Sequence, residues 1–232
     1  MAVERKVSKD KYIIAFILTS IIFILGLTSG MLFDNLRVKW VESENREHEV
    51  DYLSLQFQYL YLTTLEDKNE SCSVLHATME KSVRDLSESL QTFIKYKENT
   101  KINKKEYELA GRRYILDNLK YWLLAKKTKE ECDLDVVNIV YLYSEKNCPI
   151  CPDQGIILTY FKKTFGDKLL VFPIDCDYGT TEPVINILKN QYKITEYPTL
   201  IIEGKKYTGI VNNKELKKII CDSFKDEEDI CS

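Results

Sequence analysis

The chain is poor in histidine, proline and glycine, with two, five and eight of each in 232 residues. The two histidines, His48 and His76, lie far along the chain from every cysteine pair discussed below except the one at Cys72. That scarcity argues against a Cys–His hydrolase and against a zinc site, which needs four ligands. A basic excess is also missing: 33 Lys and Arg stand against 36 Asp and Glu, a net charge of −3. Nucleic-acid binding would call for basic residues clustered on one face, so no nucleic-acid partner is expected. Between residues 41 and 129 proline is absent and glycine occurs once, at Gly111. A stretch so free of breakers reads as helix. Finally, there is no second long apolar run, so the chain is expected to cross a membrane once only.

What the chain does have is cysteine, seven residues in all. That is a high count for a reducing compartment, and an odd one, so at least one thiol is free or pairs outside the chain. It also has one uncharged run of 22 residues, YIIAFILTSIIFILGLTSGMLF, at residues 12–33. As a helix it would rise about 33 Å, enough for a hydrocarbon core of about 30 Å. The run has no polar face, as a core helix would, and no A-x-A-like site follows it, so an uncleaved anchor is expected over a signal peptide. Arg5, Lys6, Lys9 and Lys11 precede the run, whereas only Arg37 and Lys39 closely follow. The positive-inside rule then puts residues 1–11 in the cytoplasm and everything after the span outside it, at the cell membrane, where disulfides persist.

Helical spacing recurs after the span. Val50, Leu53, Phe57, Leu60 and Thr64 form one set, and Leu75, Met79, Val83, Leu86, Leu90 and Ile94 a second. Tyr107, Ala110, Tyr114, Tyr121 and Leu124 form a third, interrupted by Asp117. With breaks near residues 67–71 and 99–103, this predicts three helices within an all-α segment, 41–131, with Ser71 capping the second. The second and third helices have similar lengths. In an antiparallel hairpin Cys72 and Cys132 would therefore meet at one end, as a bridge or as two separate buried thiols. The same apolar stripes would serve intramolecular packing or a coiled-coil dimer equally well.

From about Val136 the pattern changes. VVNIVYLYS and KLLVFPID read as strands, and 199–203 and 206–209 as two short strands around Gly204. Helical patterns lie between them at 154–165, 182–192 and 213–224, giving the order β-α-β-α-β-β-α. Cys148-Pro149-Ile150-Cys151 falls where the first strand gives way to the first helix. Tyr197-Pro198-Thr199 falls at the entry to the third strand, and Gly209 closes the fourth.

This arrangement resembles the thioredoxin-like superfamily, over about 90 residues of the chain's C-terminal part. The resemblance implies an α/β thioredoxin-like domain at 135–225, preceded by the transmembrane helix and the all-α segment and followed by an acidic tail, 226–232. It implies that Cys148 and Cys151 form a redox couple, and that Pro198 is a cis-proline whose backbone edge pairs with the substrate chain. The placement also makes chemical sense by itself. A thiol of pKa near 8.5 becomes a nucleophilic thiolate more readily beside the unpaired N–H groups and positive dipole end of a helix N-terminus. Cys148 is thus the expected nucleophile and Cys151, a turn further in, the expected resolving thiol. Pro149 suits the first helical position, where a missing N–H costs nothing.

The sequence departs from the family pattern before Cys148, where Ser-Glu-Lys-Asn replaces the usual tryptophan-containing segment, and near Leu142, where many thioredoxins have a buried acid. Glu145 and Lys146 are expected to be solvated. Cys176 is either a third redox thiol or a buried structural one, and Cys221 and Cys231 are candidates for a bridge that pins the tail. The expectation is therefore a membrane-anchored thiol–disulfide oxidoreductase, needing no cofactor or metal, that acts on thiols or disulfides of exported proteins and exchanges electrons with a redox partner. The alternative is a non-enzymatic interaction module in which Cys148–Cys151 is a structural disulfide.

Overall fold

A computed structural model describes residues 13–31, 33, 68–98, 103–226 and 229–231. The chain divides into two compact units, residues 1–64 and 65–232. The helix expected over 50–64 and the charged flanks of the apolar run lie outside the described residues.

In the first unit, helix α1 spans Ile13–Met31, with a mean hydropathy of 2.3 and none of its residues buried. Its 19 residues rise about 28 Å, which matches a hydrocarbon core. Its hydroxyls are satisfied inside the helix. Thr19 donates to the Ala15 carbonyl at 2.7 Å, Thr28 to Ile24 at 2.9 Å and Ser29 to Leu25 at 2.7 Å. These three hydroxyls therefore need no water, which suits an apolar surrounding.

The second unit begins with an antiparallel hairpin of α2 (Lys68–Glu98) and α3 (Lys104–Cys132). Asn103 caps α3, its side chain accepting the Lys105 N–H at 3.0 Å. Ser71 does not cap α2, because the helix starts a turn earlier. It lies buried inside the helix and donates to Glu131 at 2.8 Å. Beside it Cys72 and Cys132 are joined by a disulfide, with Cα atoms 5.4 Å apart. The two ends of a 31-residue and a 29-residue helix are thus tied where the chain enters one and leaves the other.

Four strands follow, β1 (Val137–Tyr143), β2 (Leu169–Asp175), β3 (Thr199–Ile202) and β4 (Lys205–Thr208). The sheet order is β2-β1-β3-β4. β1 and β2 run parallel, Val137 opposite Leu169, and both β1–β3 and β3–β4 are antiparallel. β1 is buried along nearly its whole length, which is why VVNIVYLY shows no alternation. β2 is an edge strand, where Pro173 removes no ladder hydrogen bond. Glu203 and Gly204 turn β3 into β4 with φ of 47° and 79°, the two left-handed residues a tight hairpin needs.

Helices cover both faces of the sheet. On one side α4 (Cys151–Phe165) and α6 (Asn213–Cys221) bury Leu158, Phe161, Leu216 and Ile220 against Ile139, Leu200 and Ile202. On the other, α5 (Pro183–Gln191) joins α3 over Val140, Leu142, Phe172 and Ile174. From α3 come Ile115, Leu119, Trp122 and Ala125. The third helix of the all-α segment is therefore also a layer of the α/β core. Gly111 on α3 makes close contact possible with Tyr178, whose ring occupies the space a Cβ would need.

Candidate functional site: a disulfide at the floor of a cleft

The site is built at the C-terminal end of β1. Four residues, 144–147, lead from the strand to Cys148, and side chains beyond β2 hold them in place. Ser144 is buried and donates to Asp177 Oδ1 at 2.7 Å, while its oxygen accepts the Asn147 N–H at 2.9 Å. The Lys146 N–H donates to Asp177 Oδ2 at 2.9 Å. Asp175 in turn accepts the N–H of Asp177 at 3.0 Å, and that of Glu145. The tripeptide Asp175-Cys176-Asp177 thus fastens the loop that delivers Cys148.

Cys148 and Cys151 form a disulfide with Cα atoms 5.4 Å apart. Both sulfur-bearing residues are largely buried, Cys148 at 6% exposure and Cys151 at 2%. Helix α4 opens later than its sequence suggests for Pro149 and earlier than residue 154. Ile150 is the N-cap, Cys151 the first helical residue and Pro152 the second. Pro149 instead lies in the turn closed by the Cys151 N–H on the Cys148 carbonyl at 3.3 Å. Pro152, not Pro149, lies inside the helix, at its second residue, where the N–H groups of the first turn have no intrahelical partner to lose. Tyr141 reaches under the turn from β1 and donates to the Cys151 carbonyl at 2.5 Å, and burial pushes its own pKa up to about 12.

The pair lies at the bottom of an open cleft of about 430 Å³. Tyr141, Tyr143 and Pro152 line it together with the cysteines, and Lys97 and Glu145 bring opposite charges to it. Lys97 comes from the last turn of α2, and its ammonium lies 2.5 Å from the Glu145 carboxylate. Glu145 is thus half-exposed but paired. That hydrogen bond holds the Lys97 ammonium above its ordinary pKa.

The Tyr197–Pro198 bond is cis. Thr199 pairs with Leu142, so Pro198 stands at the same end of the sheet as the loop to Cys148. Its carbonyl accepts the Gly209 N–H at 2.8 Å. Cys176 is a free, buried thiol beside the Tyr197 hydroxyl, and burial pushes its pKa up to about 11. A thiol so far from ionising is a poor nucleophile. Cys221 and Cys231 form a third disulfide, at the end of α6. His76 is exposed on α2, and His48 lies outside the described residues. Among the described residues no group of three or more His, Cys, Asp or Glu side chains could hold a metal ion.

Lys97, Tyr141, Asp175 and Asp177 are among the residues of the site that had no part in the sequence reading. The two aspartates left a trace, as acids bracketing a cysteine just where an apolar strand ends. Tyr141 was indistinguishable from the other aromatics of its strand. Lys97 had no signal at all, being one of many lysines on a solvated helix.

No family model matches the chain, and no curated protein does. Among solved structures it is similar to one described as a malarial protein, at 17% identity and a TM-score of 0.33, over 38% of this chain and 98% of the other. A second is Deadhead, a germline-specific thioredoxin of Drosophila melanogaster, at 18% identity and 0.33, over 43% of this chain and 91% of the other. A third is chloroplastic thioredoxin z, at 19% and 0.32, over 41% and 85%. At such values the likeness carries no argument about the site, which stands on the geometry above.

Proposed function

We propose that this chain is a membrane-anchored thioredoxin-like thiol–disulfide oxidoreductase, working outside the cytoplasm on the cysteines of exported proteins. The observation that carries this reading is the disulfide Cys148–Cys151 at the floor of an open cleft, where a strand gives way to a helix. The cis bond before Pro198 at the same sheet end supports it, and so does the apolar α1 as an anchor.

In the reductive direction, the Cys148 thiolate attacks one sulfur of a substrate disulfide. A mixed disulfide forms and the other substrate sulfur leaves as a thiolate. The Cys151 thiolate then attacks Cys148, releasing the second substrate sulfur and closing the enzyme disulfide. Two electrons pass from enzyme to substrate, and the redox partner returns them by the same exchange. In the oxidative direction each step runs backwards. The greater burial of Cys151 suits it to the internal step. Pro198 presents the backbone edge along which the substrate chain lies.

The test is a Cys148→Ser variant of the full chain in a disulfide-reduction and a dithiol-oxidation assay. Loss of both activities is expected, and retention of either at the wild-type rate would sink the proposal. A couple with a reduction potential below about −300 mV and an unreactive Cys148 would instead mark a structural disulfide.

A further inference from the structure

The hairpin of α2 and α3 does more than cover the sheet, since its α2 ends at the redox cleft. Lys97 lines that cleft together with Cys148 and Cys151, and it is the basic residue of the cleft among the described residues. The charged or ionisable groups around the cleft come from every neighbouring element. From β1 come Tyr141 and Tyr143, both kept protonated by burial. The loop contributes Glu145 at the cleft and the exposed Lys146 beside it, the first turn of α4 contributes Asp153, and Asp175 and Asp177 stand behind the loop, with Lys104 near them. The charged side chains that line the cleft itself are Glu145 and Lys97. The helix offers less help than the motif suggests, because Cys148 lies ahead of the N-cap, Ile150, and the dipole effect fades within a turn. A thiolate at Cys148 would face the Lys97 ammonium, which lines the same cleft.

Resting on the function proposed above, we propose that Lys97 is the cation that stabilises the Cys148 thiolate, with Glu145 holding it over the cleft and moderating its charge. The helical hairpin is then part of the redox centre, since it brings the cleft its lysine. The Glu145 bond serves two opposed ends. It fixes an otherwise mobile lysine at the cleft, and it cancels part of the field that the lysine exerts. Loss of Lys97 leaves Glu145 as an uncompensated anion beside the sulfur. Loss of the Glu145 charge leaves an uncompensated cation.

The two removals therefore act with opposite sign on one observable, although both break the same ion pair. The measurement is the pH dependence of iodoacetamide alkylation at Cys148 in the reduced full-length protein, read by mass spectrometry of the Cys148 peptide. Lys97→Met is expected to raise the midpoint, and Glu145→Gln to lower it. A half-exposed charge across a wet cleft moves a titration by about half to one unit, about three- to tenfold in thiolate fraction. Lys97→Arg, which keeps the charge, is expected to retain the wild-type midpoint and to show that the fold tolerates substitution there. The reduction potential should move in parallel, downward in Lys97→Met and upward in Glu145→Gln, because a stabilised thiolate favours the reduced form.

A shift in the same direction in both variants would mean that the pair is only a structural latch, and would overturn the inference. So would two unshifted midpoints. Either failure, found while turnover still depends on Cys148, leaves the proposed function standing. If turnover does not depend on Cys148 at all, the function itself has failed and the inference falls with it.

Discussion

Replacing Cys72 and Cys132 together by alanine removes a bridge across 60 residues of sequence. In the chain-entropy account the cost is the loop-closure entropy returned to the unfolded state, about 14 cal/mol/K for a loop of that size, or about 4 kcal/mol at 25 °C. The native state loses little by comparison. The neighbouring bond from Ser71 to Glu131 at 2.8 Å stays available. The Cys221–Cys231 bridge spans only 10 residues, for which the same expression gives about 3 kcal/mol. The assay is urea unfolding of the unit from residue 65 onward, followed at two wavelengths to check that the transition is two-state. The long-loop variant should lose more stability than a Cys221→Ala/Cys231→Ala variant. A loss below about 1 kcal/mol for the long loop, or the reverse ranking, would refute the reasoning and mean that the unfolded chain keeps the hairpin ends together without the bond.

Two further outcomes can be checked. Burial, with Asp177 and Glu145 adding like charge, pushes the Asp175 pKa up to about 6 from the usual carboxylate value of 3.8. Between those two values the native state holds more protons than the unfolded one. This carboxyl's contribution to stability therefore falls as pH rises from about 4 to about 6, by on the order of 2 kcal/mol, and stays low above that. Asp175→Asn should flatten that part of the pH–stability curve, and an unchanged slope would contradict the burial argument. The proposed orientation is tested in intact cells. After mild reduction, a membrane-impermeant maleimide should label Cys148, and labelling only after the membrane is permeabilised would invert the topology.

Much of the architecture was readable before any coordinates because its signals are local. The breaker-free stretch around Gly111 gave helices, the β-branched run from Val136 to Ser144 gave a strand, and Gly204 gave a hairpin turn. Cys72 and Cys132 are brought together by nothing more than two helices of similar length. Other features depended on side chains meeting across the fold. Ser71 reads as a cap but is inside its helix, because α2 begins a turn upstream of it. Pro149 reads as the first helical residue, yet Ile150 and Cys151 open α4 and leave that proline in the turn. The support beneath the loop to Cys148 comes from Asp175 and Asp177, some 30 residues later, and Lys97 reaches the cleft from about 50 residues earlier. No periodicity or motif records a contact of that kind.

One helix settles how this protein can be divided. Ile115, Leu119, Trp122 and Ala125 of α3 cover Leu142, Phe172 and Ile174 of the sheet. A fragment cut just before β1 would keep Cys148, Cys151, the loop and the cis-proline, yet expose to water the part of an apolar face that α3 covers beside α5. The half that holds Cys148 and Cys151 is thus not a portable cassette. It shares its interior with the hairpin, and any lineage that shortened or exchanged that hairpin would have had to rebuild one wall of the core at the same step.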